Sequence, residues 1–140
     1  MFLALKDCLE PDESARGHAL ALAYIGDTVW DLLIRTDLYL DQLNLRHMHD
    51  QAVRKVNAGA QAEAMALIRP LLTSEERAVA QRGRNAHSRH SAPHHQSPIA
   101  YAEATGLEAL LGYLYLSGQN ERILELFRAY KEGTACQLSP

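Results

Sequence analysis

The amino-acid sequence predicts an all-α fold, and three observations carry that expectation. Apolar residues make up 47% of the 140 residues while aromatics make up only 6%, and Leu and Ala dominate the apolar share, which favours helices over strands. Apolar positions recur with the period of about 3.6 residues that lines them up on one helix face. No alternation of period two lasts long enough to make a strand. The length fits one domain spanning 1–140, able to bury a core without disulfide or metal staples, and no internal repeat or linker divides it.

Taken in order, Pro11-Asp12-Glu13-Ser14 is a helix start, and the helical pattern then runs from His18 to Leu40. Leu20, Tyr24, Asp27, Asp31 and Ile34 share one broad face of that helix. A second helix is expected from Leu45 to Leu72, with Met48, Ala52, Val56, Ala60, Ala64 and Leu67 as its inner stripe. Thr73-Ser74-Glu75-Glu76 has capping-box spacing and opens a third helix that ends near Ala86. The stretch from His87 to Pro98, rich in His, Ser and Pro, is expected to be a mobile loop. A strongly apolar helix from Ile99 to Ser117 follows, with Gly118 as its stop, and a last amphipathic helix spans Asn120 to Lys131, stopped by Gly133.

Charge and composition narrow the function classes. The formal charge of −3 excludes a chain that binds polyanions through its overall charge, so any nucleic-acid surface is a local stripe or acts through a bridging cation. Residues 69–95 offer such a stripe: Arg69, Arg77, Arg82, Arg84 and Arg89 with four histidines, against two acids. Cys8 and Cys136 lie near the two ends in no metal-ligand spacing, as free thiols of a reducing compartment do. His87, His90, His94 and His95 match no structural zinc pattern and are expected to be solvated groups that gain charge below about pH 6.5. His47 and His49 alternate across a helix and do not converge on one ion. There is neither a signal peptide nor a run of about 18 apolar residues, so a soluble, cytoplasmic protein with no membrane association is expected.

Chemistry concentrates in two segments, Ala23-Tyr24-Ile25-Gly26-Asp27 and Thr105-Gly106-Leu107-Glu108-Ala109-Leu110-Leu111-Gly112. Each places a carboxylate and a glycine in an otherwise apolar helical stretch. A charge taken out of water costs several kcal/mol unless it is paired or metal-bound, and a helix-interior glycine costs about 1 kcal/mol relative to alanine. Bearing both costs twice suggests two helices packed closely, with their carboxylates meeting over a cation. That is the ground plan of a metal-dependent phosphodiesterase. The plainer alternative is an acid solvated at a helix edge or paired with arginine. Along its own helix Asp27 meets only the like charge of Asp31, with Arg35 too distant, and Glu108 is flanked by Ala104, Thr105, Leu111 and Gly112.

Those residues support a resemblance. Tyr24-Ile25-Gly26-Asp27-Thr28-Val29 resembles the signature helix of the ribonuclease III catalytic domain, roughly E-F-L-G-D-A-V. Leu107 to Leu116 resembles its second signature, F-E-A-L-I-G-A-I-Y-L. Arg54-Lys55-Val56-Asn57 with Gln61-Ala62, and Arg82-Gly83-Arg84-Asn85-Ala86, look like two intervening segments of that family in the right order. The similarity covers about residues 15 to 130 and fits the short bacterial Mini-ribonuclease III branch, which lacks a double-stranded-RNA-binding domain.

The resemblance implies the ribonuclease III endonuclease-domain helical fold, a homodimer, and a Mg²⁺-dependent endoribonuclease that cuts double-stranded RNA. It also implies a role in maturing the ends of 23S ribosomal RNA precursors. On this reading Asp27 and Glu108 are the catalytic metal ligands. Lys55, Asn57, Arg82, Arg84 and Asn85 are substrate-binding candidates, each set against a plain surface role; Asp31 is either a helix-surface group or a neighbour of the metal site. Ala23 and Thr105 stand where larger relatives carry acids, which leaves two carboxylates, enough for one Mg²⁺ that keeps several waters. Thr105 could still offer a hydroxyl there. The alternative function is a catalytically silent RNA- or ribosome-binding domain of the same fold.

Overall fold

The most apolar stretch of the sequence becomes the central helix. A computed structural model describes residues 9–15, 17–87 and 97–138. Among them the helices are α1 (Pro11–Ala15), α2 (Ala19–Leu40), α3 (Leu45–Lys55), α4 (Ala58–Ile68), α5 (Ser74–His87), α6 (Pro98–Leu116) and α7 (Asn120–Leu138), with a 3-10 turn at Arg69–Leu71; no strand occurs among the described residues. From Ala104 to Leu114, α6 is buried at every position except Glu108, as a helix apolar on all sides must be. Helices α2, α4, α5 and α7 pack around it.

Local chemistry sets the helix ends. Ser97 Oγ accepts from the Ala100 N–H at 3.3 Å, with Pro98 in the first turn of α6. Gly118 takes φ 72° beyond the last turn. The Gln119 N–H then reaches the Leu114 carbonyl at 2.8 Å and the Gly118 N–H the Tyr115 carbonyl at 3.0 Å, satisfying carbonyls that the helix leaves free. At the start of α5 the expected capping box is present: the Glu76 N–H donates to Thr73 Oγ1 (3.2 Å), and the Thr73 N–H to Glu76 Oε2 (2.9 Å).

Three expectations are corrected. The single helix expected over Leu45–Leu72 is two helices and a 3-10 turn. Asn57 makes the break: its Oδ1 accepts from the Ala60 N–H at 2.9 Å to begin α4, and its Nδ2 donates to the Arg54 carbonyl at 3.0 Å to close α3. The Trp30 indole N–H, donated to the Lys55 carbonyl at 2.9 Å, fixes this junction against α2. Gly133 does not stop the last helix. It lies inside α7, where a Cβ would come within 2.9 Å of Leu67 Cδ2, so its smallness serves packing. Finally, α2 buries Ala19, Leu22, Ala23, Gly26, Val29, Trp30, Leu33, Ile34 and Leu38, whereas Tyr24 is 80% exposed and Asp27 lies on the outer flank. The burial stripe is thus rotated from the face expected. Trp30 anchors it, its ring 5.2 Å from Tyr130 and 5.9 Å from Phe127 of α7.

Residues 88–96, which hold Arg89, His90, His94 and His95 of the expected loop, lie outside the described residues, as does Cys8. No helix among the described residues is long and apolar enough to cross a membrane.

Candidate active site

The site is built on the crossing of α2 and α6, and glycine sets how close that crossing is. A Cβ added at Gly26 would stand 1.6 Å from the Glu108 carbonyl oxygen, and one added at Gly112 would stand 2.0 Å from the Leu22 carbonyl oxygen. The two contacts are reciprocal, one helical turn apart on each helix, so no side chain fits at either point. On the other side of α6 the same device recurs with α5: a Cβ at Gly83 would meet Ala109 Cβ at 2.7 Å, and one at Gly106 the Ala80 carbonyl oxygen at 2.9 Å. Backbone against backbone on both sides leaves α6 no freedom to shift, and it carries Glu108.

Asp27 directly follows Gly26, so the crossing brings the two carboxylates to one place from different helices. Among the described residues neither forms a salt bridge. Burial pushes the Glu108 carboxyl up to about 7, and the charge of Asp27 adds to the rise. The Gln61 side-chain amide of α4 acts the other way, favouring the charged form, yet its Nε2 makes no hydrogen bond of good geometry. Asp27 is itself raised, by burial first and by Asp31 second. Two unpaired acids of raised pKa at one point form a site short of positive charge. Two hard carboxylate oxygen donors suit Mg²⁺, which binds one or two carboxylates and keeps much of its water. No group of three or more ligating side chains occurs among the described residues.

The neighbours are also placed. Asp31 pairs with Arg35 at 3.0 Å on the helix surface. Thr105 is buried and its hydroxyl donates to the Tyr101 carbonyl at 2.9 Å, back along its own helix. Ala23 is 5% exposed and belongs to the core. Neither position therefore offers the cation a side chain in this arrangement.

The candidate RNA contacts fall into two groups. Lys55 and Asn57 form the α3–α4 junction, where Asn57 uses its amide on the backbone. Arg82, Arg84 and Asn85 lie on α5. The Arg82 guanidinium donates to the Ala15 and Gly17 carbonyls and ties down the segment that precedes α2. Arg84 pairs with Glu103 at 3.1 Å, Arg69 binds the other oxygen of the same carboxylate, and Asn85 Oδ1 accepts from Gln81 at 2.9 Å. Beside them a cleft of about 320 Å³ is lined by Arg69, Arg77, Arg84, Gln81 and Glu103 over a floor that includes Met65. Of the expected basic stripe, Arg69, Arg77 and Arg84 line one cleft, with part of their charge taken up by Glu103, while Arg82 is turned to backbone carbonyls and Arg89 lies outside the described residues. Sequence reasoning passed over Gln61 as a site residue. Its signal was its phase: it shares the buried face of α4 with Ala58, Ala64, Met65 and Ile68, the polar member of an apolar stripe.

Comparison with known proteins gives the family and the fold. The model of the Ribonuclease III domain matches residues 20–119, a span that contains both acidic segments. The Mini-ribonuclease 3 of Symbiobacterium thermophilum is 43% identical over 111 residues, covering 79% of this chain and 85% of that protein. That of a Thermoanaerobacter species is 46% identical over 111 residues, covering 76% and 78%. The crystal structure of a Fusobacterium nucleatum protein superposes with a TM-score of 0.76 at 28% identity, covering 85% of this chain and 95% of that one. With the matched domain extending through both carboxylates, and relatives this similar along most of their length, the chain belongs to the ribonuclease III family, on its Mini-ribonuclease III branch, and is an endoribonuclease.

Proposed function

We propose that this endoribonuclease cuts double-stranded RNA with Mg²⁺ held between Asp27 and Glu108, and that it acts as a homodimer in the cytoplasm on the ends of 23S ribosomal RNA precursors. The observation that carries the reading is the pair of raised carboxylates, without an ion-pair partner among the described residues, brought together at a helix crossing where glycine lets the backbones touch. The choice of substrate rests on the family resemblance and on the basic surface of α5, since duplex RNA is gripped through phosphates and 2′-hydroxyls rather than base edges.

A bound Mg²⁺ supplies positive charge for the scissile phosphate and makes a water molecule more acidic. The protein's part is to fix where this happens. Glu108 gives up its proton and presents its oxygens from a helix locked on both flanks; Asp27 presents a second carboxylate from the outer side. The Arg69, Arg77 and Arg84 surface draws the phosphate backbone toward the molecule, which leaves the carboxylates free of any duty in holding RNA. In-line attack by water gives a 5′-phosphate and a 3′-hydroxyl. The exposed Tyr24, Leu32 and Tyr39 on the outer side of α2 support the dimer, because apolar area of that extent is suited to a partner.

Long double-stranded RNA incubated with the protein and Mg²⁺ should be cut to short duplexes, with no cutting in chelator and binding with little cutting in Ca²⁺. Sedimentation should give twice the chain mass. Cutting that persists in chelator would overturn the metal-dependent reading.

A further inference from the structure

Gln61 is 2% exposed on the buried face of α4, and its Nε2 makes no hydrogen bond of good geometry among the described residues. An amide buried without a partner costs roughly 1–3 kcal/mol. Its companions on that face are Ala58, Ala64, Met65 and Ile68, so a Leu or Met in its place would satisfy the core at no such cost. Stability does not explain the residue. The polar group it adjoins is the Glu108 carboxyl, whose backbone is clamped by Gly26 while its side chain forms no ion pair among the described residues.

We propose that Gln61 is a positioning residue for the cleavage reaction: its free side-chain N–H closes onto the Glu108 carboxylate when a divalent cation is bound, fixing the orientation of that ligand. The inference rests on the reading of Asp27 and Glu108 as a cation site. Carboxylate ligands are held in place by neighbours that hydrogen-bond them, and loss of such a neighbour typically costs about 10–100-fold in metal affinity or activity.

The test is Gln61→Met, which keeps the length of the side chain and removes the donor. Three readouts apply to the full chain. Thermal stability without metal should be unchanged or higher, since an unpaid polar group has gone. Mn²⁺ affinity without RNA, followed by electron paramagnetic resonance, should fall about 10-fold. In cleavage of duplex RNA, kcat should fall while KM stays the same. A lower melting temperature with unchanged Mn²⁺ affinity would overturn the inference and make Gln61 a packing residue. Gln61→Leu carries the same test if the Met variant does not fold, and failure of both to fold would also assign Gln61 to the architecture. A wild-type chain that binds no Mn²⁺ overturns the reading of the site itself; a wild-type chain that binds it no better than Gln61→Met overturns the role of Gln61 alone.

Discussion

Two glutamates, both largely withdrawn from water, receive opposite treatment. At the start of α5, Glu76 is 4% exposed and wholly provided for: Arg122 Nε binds its Oε1 at 2.8 Å, Arg122 Nη2 binds its Oε2 at 3.0 Å, and Thr73 closes the capping box. Burial alone would raise its pKa, but Arg122 and Thr73 together hold it below the ordinary carboxylate value. At the α2–α6 crossing Glu108 meets no cationic side chain among the described residues, a like charge in Asp27 and an amide that makes no good bond, and its pKa rises to about 7. The first acid serves the architecture, tying α5 to α7. The second is kept short of a partner that the fold does not supply. In this molecule the quality of an acid's environment separates structure from chemistry better than its depth does.

The sharpest way to break that comparison is to neutralise each side. Asp27→Asn and Glu108→Gln should each lower single-turnover cleavage by about 1,000-fold, the scale of one electrostatic contact to a transition state, while circular dichroism and sedimentation stay as in the wild type. A variant that keeps a tenth of the wild-type rate would remove that residue from the proposed cation site. Gly26→Ala attacks the crossing itself. Its methyl group would collide with the Glu108 carbonyl, and denaturant unfolding should show a loss of about 4 kcal/mol together with activity; a variant within about 1 kcal/mol of wild type would show that the two helices can part without harm.

On the architectural side, Glu76→Ala takes from Arg122 its buried partner, leaving it only the exposed Glu125 at 3.1 Å and the Leu71 carbonyl at 2.8 Å, and should cost about 3 kcal/mol of stability. Protein that remains folded below the new melting temperature should cut RNA at the wild-type rate, and a slowed rate in that protein would blur the division between the two glutamates. The smallest effect is on pH dependence. Without metal, folded protein holds the Glu108 proton to about pH 7 while the unfolded chain releases it near 4.5, so stability falls as pH rises through that interval. Glu76 runs the other way: its contribution is present above about 4.5 and is lost as pH falls through its lowered value in the folded state. Melting temperatures measured in chelator from pH 4 to 8 should therefore show a decline on the upper side that Glu108→Gln removes and that Mg²⁺ reverses. A flat profile in the wild type would mean that Glu108 is far better solvated than its surroundings indicate.

Much of this was legible in the residues themselves. The limits of α2 and α6 lie within one residue of those expected, because Gly118, Pro98 and the length of the apolar runs are strong punctuation. The pairing of a glycine with each acid foretold close helices, and Gly26 and Gly112 are where the backbones touch. The break at Asn57 was hidden because the stripe of Ala52, Val56, Ala60 and Ala64 stays in register across it, so periodicity alone sees one helix; the capping asparagine was the better signal. Gly133 misled for the opposite reason, a stop residue whose use is to make room for Leu67. The rotation of α2 was not readable, since the exposed Tyr24 and Leu32 look as apolar in a sequence as the buried Val29 and Leu33. The spending of Arg84 on Glu103 depends on contacts between helices, which no local pattern encodes.

The locked position of α6 has a consequence on the timescale of motion. Amide hydrogens from Ala109 to Leu114, buried on every side, can exchange with solvent only when the whole domain opens, whereas α3, with Ala52 as its only buried residue, can fray far more often. Glu108 thus rides on the segment that opens last. Heating or denaturant should leave its location intact until the molecule as a whole gives way, so cleavage activity and global folding should be lost at one and the same midpoint.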